Sequence, residues 1–347
     1  MMFPSWNSRL MSELRIRLPD DFHVHLRQGP VITAYVARTV AHFGRFLAMP
    51  NVVPPLVTAT GVSDYRRTLA MAITASSFSA TPLSSFKLVP GMGREAVFEC
   101  AAAGAMAGKY YPAGATTNAS DGVVDPDTVT AELGAMEAAG LVLSVHGEDP
   151  RVPALQREQA FLAVVDRLVA RYPRLRIILE HLSTAEAVEA VKAWPERVAA
   201  TITAHHLSFT LDDLLGDRLD PGYYCKPLLK TARDRRVLVE AAISGSPRFF
   251  FGSDSAPHTP AAKATGAAGS YSAPVAMSLL AAVFEEAGAM DRLEGFCSEA
   301  GAKFYGLRLN EGLLALKREP WAVPLLLDGV TPLAAGRTLS WAAARMQ

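Results

Sequence analysis

Cysteine, excess charge and long apolar runs are all scarce in this chain of 347 residues. Its cysteines, Cys100, Cys225 and Cys297, are odd in number and lack C-x-x-C spacing, which is typical of a reducing cytoplasm rather than of a disulfide framework. The 34 basic and 34 acidic side chains cancel, which argues against nucleic-acid or membrane-surface partners held by bulk charge. No apolar run approaches the ~18 residues of a membrane span. We therefore expect a cytoplasmic protein with a small-molecule partner.

Two organisational patterns are also missing. No G-x-G-x-x-G turn follows a predicted strand, which argues against a doubly wound dinucleotide-binding sheet. The chain shows no internal repeat, no linker and no low-complexity segment beyond alanine-rich helices. One domain is therefore favoured over two, although the length permits either.

Short apolar runs alternate with segments of helical periodicity along most of the chain. The runs are rich in β-branched and aromatic residues without strict alternation, as in strands buried on both faces of a parallel sheet. The predicted strands are Asp20–Leu26, Arg45–Pro50, Ser85–Pro90, Ala105–Tyr110, Leu141–Gly147, Arg176–His181, Val198–His205 and Phe249–Asp254. This alternation predicts an α/β fold, the (β/α)8 TIM barrel. We expect residues 1–17 to be an N-terminal extension and residues 18–347 to be one barrel domain with a C-terminal wrap.

Metal-ligating side chains are concentrated at the predicted carboxyl ends of these strands, where barrel enzymes place their chemistry. His23 and His25 are two positions apart in an extended stretch, so their imidazoles share one strand face. The other candidates are Lys109, His146, His181 and Asp254, at the ends of the fourth, fifth, sixth and eighth strands. Imidazole and carboxylate groups suit zinc, so the set predicts a metal-dependent site.

Each candidate also has a simpler interpretation. A histidine at a strand end is often a hydrogen-bonded structural residue, and Asp254 could cap a loop. Lys109 lies in an apolar run, where an unpaired charge would be costly to bury. It is therefore either paired with a carboxylate or converted by CO2 into an anionic carbamate that can bridge two metal ions. His205 and His206 end the seventh strand, and either could also face the site.

The order and spacing of several motifs resemble those of the amidohydrolase superfamily and, within it, the compact bacterial dihydroorotases. The motifs are DFHVHLR at 21–27, MPN at 49–51, KYYP at 109–112, VHGE at 145–148, EH at 180–181 and GSDSAPH at 252–258. YPAGATTN at 111–118 and YCKPLLK at 224–230 narrow the resemblance to that branch. It extends from about Leu18 to Gly306.

The resemblance implies a site for two metal ions, usually zinc. In it one ion would be held by His23, His25 and Asp254, and the other by His146 and His181. A CO2-derived carbamate on Lys109 and a hydroxide would bridge the two ions. The implied reaction is the reversible closure of N-carbamoyl-L-aspartate to dihydroorotate, the third step of pyrimidine synthesis, with Asp254 moving the proton. The resemblance also implies a homodimer.

Substrate contacts follow from the same resemblance. Arg27, predicted to lie on the strand face of His25, would clamp the substrate carboxylate. Asn51 and His258 would complete this pocket. Backbone groups near Lys226 and Ala273 would contact the pyrimidine ring.

The segment 114–117 is small and polar and follows the fourth strand. It is either an ordinary loop or, by the resemblance, a mobile lid whose Thr116 and Thr117 hydroxyls reach the substrate. Residues 259–272 depart from the expected pattern because they contain no cysteine, whereas some relatives have a cysteine-rich loop there.

Two other functions remain open at this point. A hydantoinase or allantoinase would share the scaffold, but its substrates lack the carboxylate that Arg27, Asn51 and His258 would bind. A non-catalytic barrel scaffold would have lost ligand residues, whereas all six candidates are present.

Overall fold

A barrel of eight parallel strands dominates the computed structural model, which describes residues 12–346. In chain order the strands are β1 (Glu13–Arg17), β2 (Asp20–Val24), β3 (Arg45–Ala48), β4 (Thr81–Leu88), β5 (Ala105–Tyr110), β6 (Val142–Val145), β7 (Arg176–Leu179), β8 (Val198–Ile202), β9 (Phe249–Phe251), β10 (Leu313–Lys317), β11 (Trp321–Ala322), β12 (Thr338–Leu339) and β13 (Ala342–Arg345). Strands β2 to β9 pair in sequence order, all in parallel. The predicted (β/α)8 barrel is confirmed.

Helices follow most barrel strands and cover the outside of the sheet. They are α1 (Ile32–Val40), α2 (Ala59–Thr74), α3 (Gly93–Ala102), α4 (Thr130–Ala139), α5 (Arg157–Arg171), α6 (Ala185–Ala193), α7 (Ala204–Ser208), α8 (Leu211–Leu215), α9 (Ala232–Ile243), α10 (Pro260–Ala264), α11 (Ala276–Glu286) and α12 (Ala300–Tyr305). Threonine hydroxyls cap the first turns of α2, α6 and α9, which fixes where these helices begin. Among the described residues, no helix has the length and apolar composition needed to cross a bilayer.

The core has two layers because the barrel strands are buried on both faces. The larger layer lies between strands and helices, and the smaller one fills the barrel. In the smaller layer Phe22 of β2 stacks on Tyr305 of α12, with ring centroids 4.9 Å apart. Phe22 also meets Phe250 of β9 edge-on at 5.6 Å. Helix α12 therefore packs against the barrel interior, and Gly301 allows this because a Cβ there would stand 2.4 Å from the Phe22 ring.

The amino end of the described chain pairs with its carboxyl-terminal part. Strand β1 is antiparallel to β10, from Glu13 opposite Lys317 to Arg17 opposite Leu313, and β13 extends this small sheet. The described part of the predicted extension is thus a strand that packs with the tail. Residues 1–11 of that extension lie outside the described residues, and the division at residues 17 and 18 stays a prediction.

Most barrel strands end before the residues that were predicted to end them. Strand β2 stops at Val24 rather than Leu26, β7 at Leu179 rather than His181, and β9 at Phe251 rather than Asp254. The polar side chains that follow leave the hydrogen-bonded ladder and turn into a shared space at the carboxyl ends of the strands. The sequence pattern therefore finds the strands but overestimates their length where the site begins.

Candidate active site

A small cavity opens at the carboxyl ends of the barrel strands. Most of the predicted site residues line it. The lining consists of His23, His25, Arg27, Asn51, Tyr111, Thr116, Thr117, His146, His181, Lys226, Asp254, Ala256, Ala268 and Gly269. Lys109, His258 and Ala273 lie outside this lining, at positions described below.

Asp254 lies close to His23 on β2 and to His25, which directly follows that strand. Its Oδ1 lies 3.4 Å from His23 Nε2 and 3.2 Å from His25 Nε2. Burial lowers the pKa of His25 to about 4, which keeps this imidazole neutral. Burial alone would raise the pKa of Asp254, but the hydrogen bond from His25 and the nearby imidazoles hold it well below its usual range. The neutral imidazole of His25, the ring of His23 and an ionised carboxylate therefore share one corner of the cavity.

A second pair of imidazoles stands beside this group. His146 Nδ1 lies 3.2 Å from His181 Nε2, and burial lowers the pKa of both rings. The His181 ring centroid is 5.1 Å from that of His23, so the two groups are neighbours. Neutral imidazole nitrogens that converge in this way are suited to a metal ion.

Two buried glutamates orient these rings. Glu148 Oε2 is 2.8 Å from His146 Nε2, on the side of the ring away from His181. Glu180 Oε2 is 2.8 Å from His23 Nδ1. Glu180 thus contacts the ring of His23 and not that of its chain neighbour His181. Carboxylates placed behind imidazole ligands are common in metal sites, where they fix the ring and its tautomer.

Lys109 is fully buried, and its Nζ has no hydrogen-bond partner among the described residues. The ring centroid of Tyr111 is 5.4 Å from Nζ. Burial lowers the pKa of Lys109 to about 8, against the opposing charges of Glu180 and Asp254. More of this amine is neutral near physiological pH than in an exposed lysine. No carboxylate of residues 12–346 forms a salt bridge with Lys109. The observed contacts therefore do not provide the carboxylate partner that was one of the two interpretations of this lysine.

The donor set is suited to metal binding. His23, His25 and Asp254 form one group that could hold a metal ion, and the pair of His146 and His181 lies beside it. The unpartnered amine of Lys109 lies within the electrostatic reach of Asp254. A carbamate on that amine would provide anionic oxygens where the structure offers a buried group without a partner.

Backbone conformation is unusual at several of these positions. Arg27, Asn118, His181 and Asp254 all have positive φ, between 44° and 59°, although none is glycine. Such conformations are uncommon and concentrate at functional sites, where the surrounding structure maintains them. At Arg27 this corrects the expected strand face, because β2 has already ended at Val24.

Arg27 forms the side of the cavity suited to a carboxylate, and His258, outside the lining, contacts its guanidinium. Arg27 Nη2 lies 2.8 Å from His258 Nε2, and Arg27 Nε donates to the carbonyl of Pro257 at 3.1 Å. Burial, together with the charge of Arg27, lowers the pKa of His258 to about 4. The neutral imidazole therefore accepts from the guanidinium and orients it.

Asn51 and the following loop are tied together. Asn51 Nδ2 donates to the Thr117 carbonyl at 3.4 Å, and Asn118 Nδ2 donates to the Asn51 carbonyl at 3.1 Å. These two bonds hold Thr116 and Thr117 against the cavity, where both line the wall.

The structure places Ala268, not Ala273, at the wall near Lys226. Ala273 points its backbone elsewhere: its N–H donates to Ser255 Oγ at 3.1 Å, and its carbonyl is 3.4 Å from His42 Nδ1. Ala268 and the adjacent Gly269 therefore line the wall where Ala273 was expected, and the ring contact at Ala273 stays a prediction. No local motif marks these residues, since the loop 259–272 is mainly small residues. Tyr111 and Ala256 also line the cavity, although both stood only as neighbours within the quoted motifs.

His205 and His206 do not line the cavity. Both are buried in the short helix α7, and His206 Nδ1 lies 2.8 Å from Thr203 Oγ1. Strand β8 ends at Ile202, and both histidines lie in the helix that follows, outside the lining of the cavity.

Comparisons with known proteins agree with this geometry. A dihydroorotase from Teredinibacter turnerae is 43% identical over 341 residues, which cover 96% of this chain and 99% of the relative. A solved dihydroorotase from Saccharomyces cerevisiae, in complex with 5-fluoroorotic acid, is 35% identical with a TM-score of 0.90, covering 96% of this chain and 99% of that one. No model of a protein family matches the chain.

A more distant likeness shows the extent of the shared scaffold. The L-hydantoinase from Arthrobacter aurescens has a TM-score of 0.82 over 96% of this chain and 84% of its own, but only 18% identity, which establishes the barrel alone. The Teredinibacter relative, by contrast, is 43% identical over nearly the whole of both chains, which indicates a shared family and not only a shared fold. Together with the motifs and the cavity they form, it shows that this chain belongs to the dihydroorotases, hydrolases that act on cyclic amides.

Proposed function

We propose that this chain catalyses the reversible ring closure of N-carbamoyl-L-aspartate to dihydroorotate at a centre of two divalent ions, with zinc as the metal. One observation carries the proposal. Two adjacent groups of imidazoles share the cavity with an ionised Asp254, and Arg27 forms a carboxylate-binding side in the same space. This reaction would place the enzyme at the third step of pyrimidine synthesis.

The proposed ligands form two sets. His23, His25 and Asp254 would hold one ion, His146 and His181 the other, and a carbamate on Lys109 would serve both. Two bound divalent ions supply a water of lowered pKa and a polarised carbonyl. Glu148 and Glu180 would keep the ligand rings in position through their contacts at 2.8 Å.

Asp254 is the group proposed to move the proton. Because its pKa is held well below the usual range, it is ionised and can accept a proton from the attacking water in ring opening. The water oxygen bonds to the ring carbonyl carbon, the carbon–nitrogen bond breaks, and Asp254 delivers the proton to the departing nitrogen. In ring closure the same steps run in reverse, and water leaves.

The substrate carboxylate would bind to Arg27, with Asn51 and His258 beside it. A planar guanidinium binds a carboxylate through two parallel hydrogen bonds, and His258 already holds one edge of Arg27. The yeast relative was solved with 5-fluoroorotic acid, a ligand that carries an acid group. This side of the cavity favours dihydroorotate over hydantoins, which lack that group.

Thr116 and Thr117 are proposed to close over the bound substrate and to exclude water, as a lid does. The backbone near Lys226 and Ala268 would contact the ring. A homodimer and a cytoplasmic location stay predictions.

The test is a ring-opening assay that follows the loss of dihydroorotate absorbance, together with metal analysis. We expect wild-type protein to bind two divalent ions and to turn over dihydroorotate. Asp254→Asn should lose nearly all activity, whereas Asp212→Asn, an exposed aspartate on α8, should match wild type. Wild-type protein that is inactive on dihydroorotate but turns over a hydantoin would overturn the proposed substrate assignment. Protein that binds no divalent ion and stays inactive with zinc and bicarbonate would support a scaffold.

A further inference from the structure

A buried lysine outside the proposed ligand set reaches from the barrel to the loop that carries Thr116 and Thr117. Lys87 lies on β4, and its side chain is completely buried. Its Nζ donates to the Asn118 carbonyl at 2.7 Å and forms an ion pair with Asp121. We propose that Lys87 is a positioning residue that holds residues 114–121 down over the cavity. What the loop does there rests on the proposed function.

The loop forms a small closed unit of its own. The Gly114 N–H donates to the Ala119 carbonyl at 2.8 Å, and the Ala113 N–H donates to the Val123 carbonyl at 3.1 Å, so the tip is folded onto its base. Polar contacts then join this unit to the barrel. Asn51 donates to the Thr117 carbonyl and accepts from the Asn118 side chain, and Lys87 donates to the Asn118 carbonyl. The position of the threonines depends on both.

Lys87 stabilises the position of the loop mainly because its ammonium is buried, and less through the ion pair itself. Asp121 is 49% exposed, and a pair with so exposed a partner contributes little by itself. The ammonium, however, has no exposed surface and stands 5.9 Å from the Tyr111 ring centroid. If the loop lifts, the Asn118 carbonyl and Asp121 leave together, and a buried charge stays behind without partners. Such a state is strongly disfavoured, so Lys87 shifts the equilibrium of the loop toward the cavity.

A purely packing role makes a different prediction. Methionine has nearly the length and shape of the lysine stem, so Lys87→Met keeps the packing and removes only the charge and its hydrogen bonds. Lys87 does not line the cavity, so its effect on catalysis must pass through the loop.

The experiment measures two quantities in wild type and in each variant. One is the hydrogen exchange of the 112–122 backbone in substrate-free holoenzyme, and the other is the set of kinetic constants. From the usual strength of hydrogen bonds to charged groups, Lys87→Met should speed exchange of this segment and raise KM by about tenfold each. The metal content should not change, and kcat should change much less than KM. Asp121→Ala should act in the same direction, and Asp121→Glu should stay near wild type because it keeps the carboxylate.

Matched comparisons keep the result interpretable. Lys303→Met removes an exposed lysine on α12 that pairs with Glu299 and should leave exchange of 112–122 unchanged. If Lys87→Met does not fold, Asp121→Ala decides, because its side chain is half exposed. Wild-type exchange and wild-type KM in both variants would overturn the proposal. Exchange needs no turnover, so an enzyme inactive on dihydroorotate would refute the proposed function while leaving this test intact.

Discussion

Lys87 and Lys109 are aligned partners on the neighbouring strands β4 and β5, yet their amines have opposite surroundings. Aligned residues of paired strands point to the same face of a sheet, so both stems enter the same region of the barrel. Lys87 Nζ has a carbonyl and a carboxylate as partners, whereas Lys109 Nζ has none among the described residues. Only one of the two amines is therefore free to react.

We predict that Lys109 alone reacts with CO2. Protein equilibrated with 13C-bicarbonate and zinc should show one carbamate carbon signal in its 13C spectrum. The signal should disappear in Lys109→Ala and persist in Lys87→Met, which is the matched control on the neighbouring strand. Bound zinc should fall in Lys109→Ala, because the ligand set loses its anionic member. A signal that survives Lys109→Ala would assign the carbamate elsewhere.

Arg27 and His258 should act as one unit in substrate binding. Arg27→Lys keeps the charge but loses the planar pair of donors, so we expect KM for dihydroorotate to rise by roughly 10- to 100-fold. His258→Asn should have a smaller effect in the same direction, because it removes the contact at 2.8 Å that orients the guanidinium.

The double variant tests whether the two residues are coupled. Residues in direct contact show non-additive effects, so Arg27→Lys with His258→Asn should cost less than the product of the single effects. Arg38→Lys, at an exposed pair with Asp328, should leave KM unchanged. Strict additivity in the double variant would mean that His258 does not act through Arg27.

The sequence was sufficient for the barrel and for the convergence of several proposed metal ligands on one cavity, because both depend on local patterns. Buried parallel strands have a distinct composition, and their carboxyl ends must converge once the barrel closes. The strand ends therefore predict that His23, His146, His181 and Asp254 lie close together, and all four line one cavity. The exact strand ends were missed because positive φ at His181 and Asp254 cannot be read from residue type.

Contacts between distant loops were less accessible from the sequence. Ala268 reaches the wall because the Gly269 N–H donates to the Tyr224 carbonyl at 2.9 Å, and Lys263 Nζ joins the Tyr224 and Gly269 carbonyls at 2.8 Å each. A chain of small residues gives no signal for such a contact. Lys87 was missed for a related reason, since its partners lie more than 30 positions away along the chain.

The hydroxyls of Thr116 and Thr117 should matter for turnover and not for metal binding. Both residues line the cavity, but neither belongs to the proposed ligand sets. Replacing both by alanine should lower kcat/KM by at least about tenfold, the usual cost of losing a hydrogen bond to a charged substrate group. Metal content should stay at the wild-type value. Replacing both by serine keeps the hydroxyls and should restore most activity; unchanged kinetics in the alanine variant would sink the lid hypothesis.

Glu158, buried between α5 and the start of α6, should make stability depend on pH. Its carboxylate accepts from the Ser183 N–H at 2.9 Å, yet burial raises its pKa to about 7. The folded protein therefore holds this proton more tightly than the unfolded chain, so the stabilisation is complete below about pH 4.5 and is lost as the pH rises through about 7. The free energy of unfolding can be measured with urea, in the presence of a chelator, at pH 5 and pH 8. Between these two pH values it should fall by about 2 to 3 kcal/mol more in wild type than in Glu158→Gln. Glu189→Gln, exposed on α6, should follow wild type. Parallel pH dependence in wild type and Glu158→Gln would show that Glu158 is ionised in the folded state throughout.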